Sequence, residues 1–166
     1  MTAAVVPRQL DPARLGDHVD RLFRAAWALS GNREDAEDLV QETFAKVLAR
    51  PRLLRGEEVG YLLTVLRNTF MSQKRTEKRR PSTVAMPEEP SFSEPRSDRS
   101  PEAMIEATEV YAAVADLPEG FRDVLVAVDV AGLSYEDAAR SLGIPKGTVM
   151  SRLFRARRDV VRRVDA

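Results

Sequence analysis

Lys146, Thr148, Ser151, Arg152, Arg155 and Arg158 lie in one basic stretch, 146–163, which holds seven Lys/Arg against Asp159. Cations of this kind pair with phosphate oxygens, while hydroxyls and guanidinium forks reach base edges in a major groove. A second basic stretch carries Arg67, Lys74, Arg75, Lys78, Arg79 and Arg80 against Glu77, with Asn68 and Thr69 beside it. Acids gather instead at Glu34, Asp35, Glu37, Asp38 and Glu42, and seven acids face two bases across 81–109. The net charge of zero therefore conceals two basic surfaces and acidic ones, which implies separate partners. The sequence has no cysteine and one histidine, His18, so neither a thiolate site nor a histidine metal cluster can be assembled. Without a visible nucleophile, ligand set or phosphate loop, the chemistry to expect is recognition, with no cofactor and no enzymatic role.

The elements that must position the first basic stretch are legible around it. Ser134 stands where a helix starts, with Asp137 in the capping-box position; Ala138, Ala139 and Leu142 face inward, and Gly143 ends the helix. Ile144-Pro145 then restarts the chain into the basic helix, which Val149, Leu153 and Ala156 hold against a core. Two helices joined by a tight glycine turn make a helix-turn-helix, and the small alanines let them approach. A basic helix alone is usually a solvated face; attached to this turn, it reads as a DNA-binding element.

Upstream, apolar residues Val19, Leu22, Phe23, Ala26, Trp27 and Leu29 recur at helical spacing up to Gly31. Asn32 with Asp35 caps a second helix that buries Ala36, Leu39, Val40, Phe44, Val47 and Leu48 before Pro51, leaving Glu37, Asp38, Gln41 and Glu42 mainly on other faces. A third helix, roughly 57–78, turns Val59, Leu62, Leu63, Leu66 and Phe70 inward and leaves Arg67, Asn68, Met71, Lys74 and Arg75 largely outside. The acids near Asn32 suit a helix N-terminus as well as they suit a protein interface, and residue chemistry leaves that choice open. Likewise, Lys74–Arg80 fits both a charged helix end and a nucleic-acid contact. Trp27 and the Phe/Leu positions read as core, and His18 as a surface residue.

Five of the ten prolines, Pro81, Pro87, Pro90, Pro95 and Pro101, fall among Ser and Glu. This composition predicts a flexible Pro-rich linker over 81–105 between lobes 1–80 and 106–166. Neither lobe shows strand-like alternation, so the predicted fold class is all-α: two small helical domains joined by that linker. No run approaches the roughly 20 apolar residues of a membrane span, and the N-terminus lacks a signal-peptide pattern, so a cytoplasmic protein without membrane insertion is expected.

Taken in order, the motifs resemble the extracytoplasmic-function (ECF) group of the sigma-70 family. "LSGNREDAEDLVQETFAKVL" is similar to its region 2.1 to 2.2, "GYLLTVLRNTFMSQKR" to region 2.3 to 2.4, and "LPEGFRDVLVAVDVAGLSYEDAARSLGIPKGTVMSRLFRARRDV" to region 4. The resemblance covers almost all the chain apart from linker and ends, and implies the family's minimal two-domain form. It implies a sigma factor that binds core RNA polymerase through the β′ clamp helices and the β flap, recognises promoter DNA and promotes its melting. Asp38, Gln41 and Glu42 would then make polar polymerase contacts, with Leu39 and Phe44 supporting them. Asn68 matches the position that captures an unpaired minus-ten base, with Thr69, Ser72, Lys74 and Arg75 beside it. In the minus-thirty-five element, Ser151, Phe154 and Arg155 match readout positions, and Lys146, Thr148, Arg152 and Arg158 fall to phosphates. Control by an anti-sigma factor is a further implication, as is passage of the acidic linker through polymerase channels. Met150 stands where many relatives carry Lys or Arg, and Met71-Ser72 departs from a common acidic ending, so the promoter sequence is not implied. Before the resemblance, a stand-alone helix-turn-helix regulator fits the same basic helices; a helical antagonist of such regulators is another reading.

Overall fold

The computed structural model describes residues 6–79 and 100–166. Most of the predicted linker, with Pro81, Pro87, Pro90 and Pro95, lies outside the described residues, as does Arg80.

The first lobe is built from helices α1 (Val19–Ser30), α2 (Arg33–Ala49) and α3 (Glu58–Arg79). Gly31 ends α1 in the left-handed conformation, φ 79°, and its N–H donates to the Trp27 carbonyl at 2.8 Å. Asn32 caps α2 as expected: its side-chain oxygen accepts from the Asp35 N–H at 2.9 Å. Leu22, Leu39, Leu62 and Leu66 are fully buried where the three helices meet. Each such leucine contributes about 1.5–3 kcal/mol by leaving water.

Ahead of α1, strand β1 (Arg8–Gln9) pairs antiparallel with β2 (Leu53–Leu54), and a 3-10 helix spans Pro12–His18. Two-residue strands are too short to display the alternation by which strands are read from sequence. They pin the N-terminal segment against the α2–α3 connection. Glu58 reinforces this join; almost fully buried, it takes His18 Nε2 at 2.9 Å and Arg14 Nη1 at 3.3 Å. His18 is thus a half-buried partner of a carboxylate, not the surface residue expected.

The second lobe comprises α4 (Pro101–Ala115), α5 (Glu119–Leu125), α6 (Tyr135–Leu142) and α7 (Lys146–Val164). Residues 101–105, expected at the end of the linker, are already helical. Ser100 accepts from the Ala103 N–H at 3.3 Å and Pro101 occupies the first turn, where its missing N–H is harmless. Helix α5 runs into one π-helical turn, Val126–Val130, before Gly132.

The lobes pack on one another. Val114, Leu117, Val124 and Val126 join Leu22, Leu62 and Leu66 in one continuous apolar core. Trp27 of α1 meets Tyr111 of α4 with ring centroids 5.1 Å apart, and a Cβ on Gly31 would stand 3.0 Å from the Ala115 Cβ. Nothing in the reading of two separate lobes anticipates this contact.

Candidate nucleic-acid and polymerase interfaces

Helices α6 and α7 form the expected helix-turn-helix. Ser134 Oγ accepts from the Asp137 N–H at 3.1 Å and donates to its carboxylate at 2.9 Å. Ala138 is fully buried, Gly143 turns the chain at φ 67°, and Pro145 is the N-cap of α7. Val149, Leu153 and Ala156, all buried, fix the rotation of α7 about its axis.

That rotation decides which side chains face outward. Lys146, Ser151, Phe154, Arg155 and Arg158 are exposed. Phe154 is 63% exposed, and Arg158 lies over its ring at 6.0 Å. An aromatic ring left in water beside arginines suits apolar contact with a thymine methyl flanked by phosphate contacts. Thr148 is half-buried, and its carbonyl accepts from Ser151 Oγ at 3.2 Å. Arg152 is also half-buried, lying against α5, where a Cβ on Gly120 would come within 3.1 Å of its Nη1. Lys146 pairs with Glu136 at 3.4 Å. The remaining cation of note is Arg157, given no role by sequence, which donates to both Asp129 oxygens at 2.7 and 2.9 Å. That hydrogen bonding holds its guanidinium above the ordinary range and commits it to bracing α7 on the π-turn.

In the first lobe, Asn68, Ser72, Lys74 and Arg75 are exposed along α3. Thr69, expected beside them, is instead 2% exposed, and its hydroxyl accepts from Lys46 Nζ at 3.3 Å. Position 69 follows Leu62 and Leu66 at helical spacing, which turns it into the α2–α3 interface. Asn68 opens onto a groove of about 550 Å³ lined also by Lys46, Arg50, Arg52, Tyr61 and Val65. Three cations and an aromatic face suit an unpaired strand, whose phosphates and bases they can engage together. Sequence reading passed over these four polar and aromatic residues; Lys46 and Arg50, one turn apart near the end of α2, were the available signal.

Nearer the start of α2, Asp38 and Gln41 are exposed. Glu42 is partly covered, pairing with Lys46 at 3.2 Å and closely with Gln73 of α3. Leu39 is 1% exposed within the core and holds the acidic face in place from behind. The described residues contain no cluster of acids and histidine able to hold a metal ion, and no helix long and apolar enough to cross a membrane.

Comparison with known proteins places both halves. Residues 15–80 match the family model for sigma-70 region 2, and residues 107–160 the model for sigma-70 region 4. The chain is 37% identical over 148 residues to the ECF RNA polymerase sigma factor SigE of Mycolicibacterium smegmatis, covering 86% of this chain and 57% of that protein. It is 38% identical over 142 residues to the ECF RNA polymerase sigma factor EcfG of Rhodopseudomonas palustris, covering 84% and 76%. Thus it spans more than half the length of the first and about three quarters of the second. Among solved structures, the sigma factor RpoE in complex with the anti-sigma factor NepR from Bartonella quintana is similar at a TM-score of 0.68 and 27% identity, covering 93% of this chain and 96% of that one.

Proposed function

The chain belongs to the ECF group of the sigma-70 family, and from that premise we propose that it binds core RNA polymerase, recognises the minus-thirty-five and minus-ten promoter elements and promotes DNA melting. One observation carries this reading: a capped, glycine-turned helix-turn-helix presents Ser151, Phe154, Arg155 and Arg158 to solvent on a helix whose rotation the core fixes. In the minus-thirty-five element, Ser151, Phe154 and Arg155 read base edges, while Lys146, Thr148, Arg152 and Arg158 serve phosphates. Arg152 reaches a phosphate only by leaving its place against α5.

At the minus-ten element, Asn68 holds an unpaired base at the edge of the basic groove, with Tyr61 offering a stacking face. Unstacking a base costs a few kcal/mol, which contacts of this kind offset. Ser72, Lys74 and Arg75 extend the cationic track along α3. Thr69 acts through Lys46, keeping that cation at the groove. The acidic face of α2, with Asp38, Gln41 and Glu42, docks on the β′ clamp helices, and the second lobe docks on the β flap. Residues 1–80 form the polymerase and minus-ten domain; the minus-thirty-five domain is extended forward to 101, leaving 81–100 as the linker.

Each lobe by itself offers a modest basic surface, whereas specific protein–DNA interfaces bury about 1,000–2,500 Å². Polymerase joins the two contacts on one scaffold, so that the second becomes intramolecular. An anti-sigma factor is the fitting antagonist, since a similar sigma factor has been solved with one. The protein works in the cytoplasm as a non-enzymatic initiation factor. Run-off transcription with core polymerase, with and without the chain, tests this function: promoter-specific transcripts are expected only when both are present. Tight, selective duplex binding without polymerase, and no transcripts with it, would mark a stand-alone regulator instead.

A further inference from the structure

Residues 50–57 join α2 to α3, and they carry three arginines, Arg50, Arg52 and Arg55. Arg50 and Arg52 line the groove beside Asn68, so the path of this connection decides where two of the groove's cations stand. The connection has little to hold it from within. Leu54 is its only buried residue, and Gly56 turns it at φ 128°.

Support comes instead from an N-terminal strap, residues 8–18. Strand β1 pairs with the connection in the register Arg8 to Leu54 and Gln9 to Leu53. A ladder this short is marginal by itself. It is secured by the 3-10 helix that follows, which is anchored through buried Leu10 and Leu15 and through Glu58, the first residue of α3. The Glu58 carboxylate, 4% exposed, gathers His18 at 2.9 Å, Arg14 at 3.3 Å and Arg8 at 4.0 Å. A buried carboxylate is tolerated only with partners of this kind. Because Arg8 lies in β1 and the other two in the 3-10 helix, one anion ties both parts of the strap to the point where the connection enters α3. Arg8 and Gln9 are themselves exposed, so what the strand contributes is its pairing rather than core. The strap also adjoins the groove: Gln9, Leu10 and Pro12 line a cavity of about 360 Å³ shared with Arg52 and Tyr61.

We propose that the strap, clamped on Glu58, positions the 50–57 connection so that Arg50 and Arg52 meet an unpaired strand, which makes Arg8, Arg14, His18 and Glu58 positioning residues for minus-ten capture. An arginine on a fixed backbone loses less freedom on seizing a phosphate than one on a loose loop, and the difference adds to affinity. The inference rests on the minus-ten reading of the groove proposed above.

Holoenzyme made from the full chain and core polymerase is offered a labelled single-stranded oligonucleotide carrying the minus-ten sequence of a promoter defined by run-off transcription. Glu58→Gln removes the charge that gathers the strap and keeps the side chain's size. It is expected to weaken retention of the oligonucleotide about five- to tenfold, with core binding, the minus-thirty-five footprint and circular dichroism unchanged. Two further readouts separate positioning from stability alone. With Arg50→Ala and Arg52→Ala already in place, Glu58→Gln should cost less than about twofold more, because the cations it acts through are gone. The sequence has no cysteine, so Gln9→Cys with Leu53→Cys can replace the clamp by a disulfide. Paired antiparallel residues stand about 4.5–5.5 Å apart at Cα, within disulfide reach. Oxidised, the cysteine chain carrying Glu58→Gln should recover most of the retention; reduced, it should not. Should Glu58→Gln fail to fold, Arg14→Ala with His18→Gln loosens the same clamp and takes its place in each comparison. Unchanged retention, an undiminished loss in the arginine-free background, or no recovery on oxidation would each overturn the proposal. If holoenzyme with the unsubstituted chain holds the oligonucleotide no better than core alone, the minus-ten reading itself falls, and this inference with it.

Discussion

Helices α3 and α7 are both long, basic and set against apolar cores, yet they treat their polar faces differently. On α3, Arg67 goes to Asp123 and Glu119, Gln73 to Glu42 and Lys74 to Glu77. On α7, Ser151, Phe154, Arg155 and Arg158 stand exposed, and Arg157 beside them pairs through two hydrogen bonds with Asp129. On α3 the exposed Asn68, Ser72 and Arg75 are thus flanked by polar side chains already paired within the chain, whereas the outer face of α7 around Phe154 and Arg155 is presented whole. The lesson is that a cluster of cations in a sequence says where anions are bound, and leaves open whether the first anion belongs to the same chain.

The comparison can be broken most forcefully at Asp123. Its replacement by Ala leaves Arg67 and Arg122 facing each other without a carboxylate and is expected to lower stability by about 3 kcal/mol in denaturant unfolding. Glu119→Ala, at the exposed end of the same α3–α5 contact, should cost no more than about 0.5 kcal/mol, and equal losses would reduce that contact to surface pairing. On the presented helix the pattern should reverse. Arg155→Ala is expected to leave the thermal midpoint in place and lower discrimination for the minus-thirty-five sequence by about 1–3 kcal/mol, measured by competition between matched and altered promoters. Ser134→Ala removes the cap that starts the helix-turn-helix and should cost about 1 kcal/mol of stability. Arg157→Ala should likewise cost about 0.5 kcal/mol, with promoter preference intact; a changed preference would give Arg157 a reading role the geometry denies it.

Much of the local structure was legible in advance because its causes are local. Asn32, Ser134, Gly31 and Gly143 mark helix ends through groups within one turn, and the apolar spacing identifies most of each buried stripe, Leu48 excepted: expected inside, it lies exposed at the end of α2. Asn68, Ser72, Lys74, Arg75, Asp38 and Gln41 are exposed for the same reason, being off that stripe. Thr69 was misread because exposure was inferred from its polarity, when its register with Leu66 was already in the sequence. The two short strands and the helical turn over 101–105 escaped because neither carries a periodicity long enough to register.

The chain's order of residues was enough to specify an all-helical build, two basic helices and an acidic one, because caps, turns and apolar periodicity act over a few residues. Only the tertiary structure decided that Lys46, Arg50, Arg52 and Tyr61 share a groove with Asn68, that Asp123 is buried, and that Arg67 is held by the other lobe. Those facts join residues 7 to 56 positions apart, and which charge meets which across such separations depends on how the helices pack, a matter no local rule encodes.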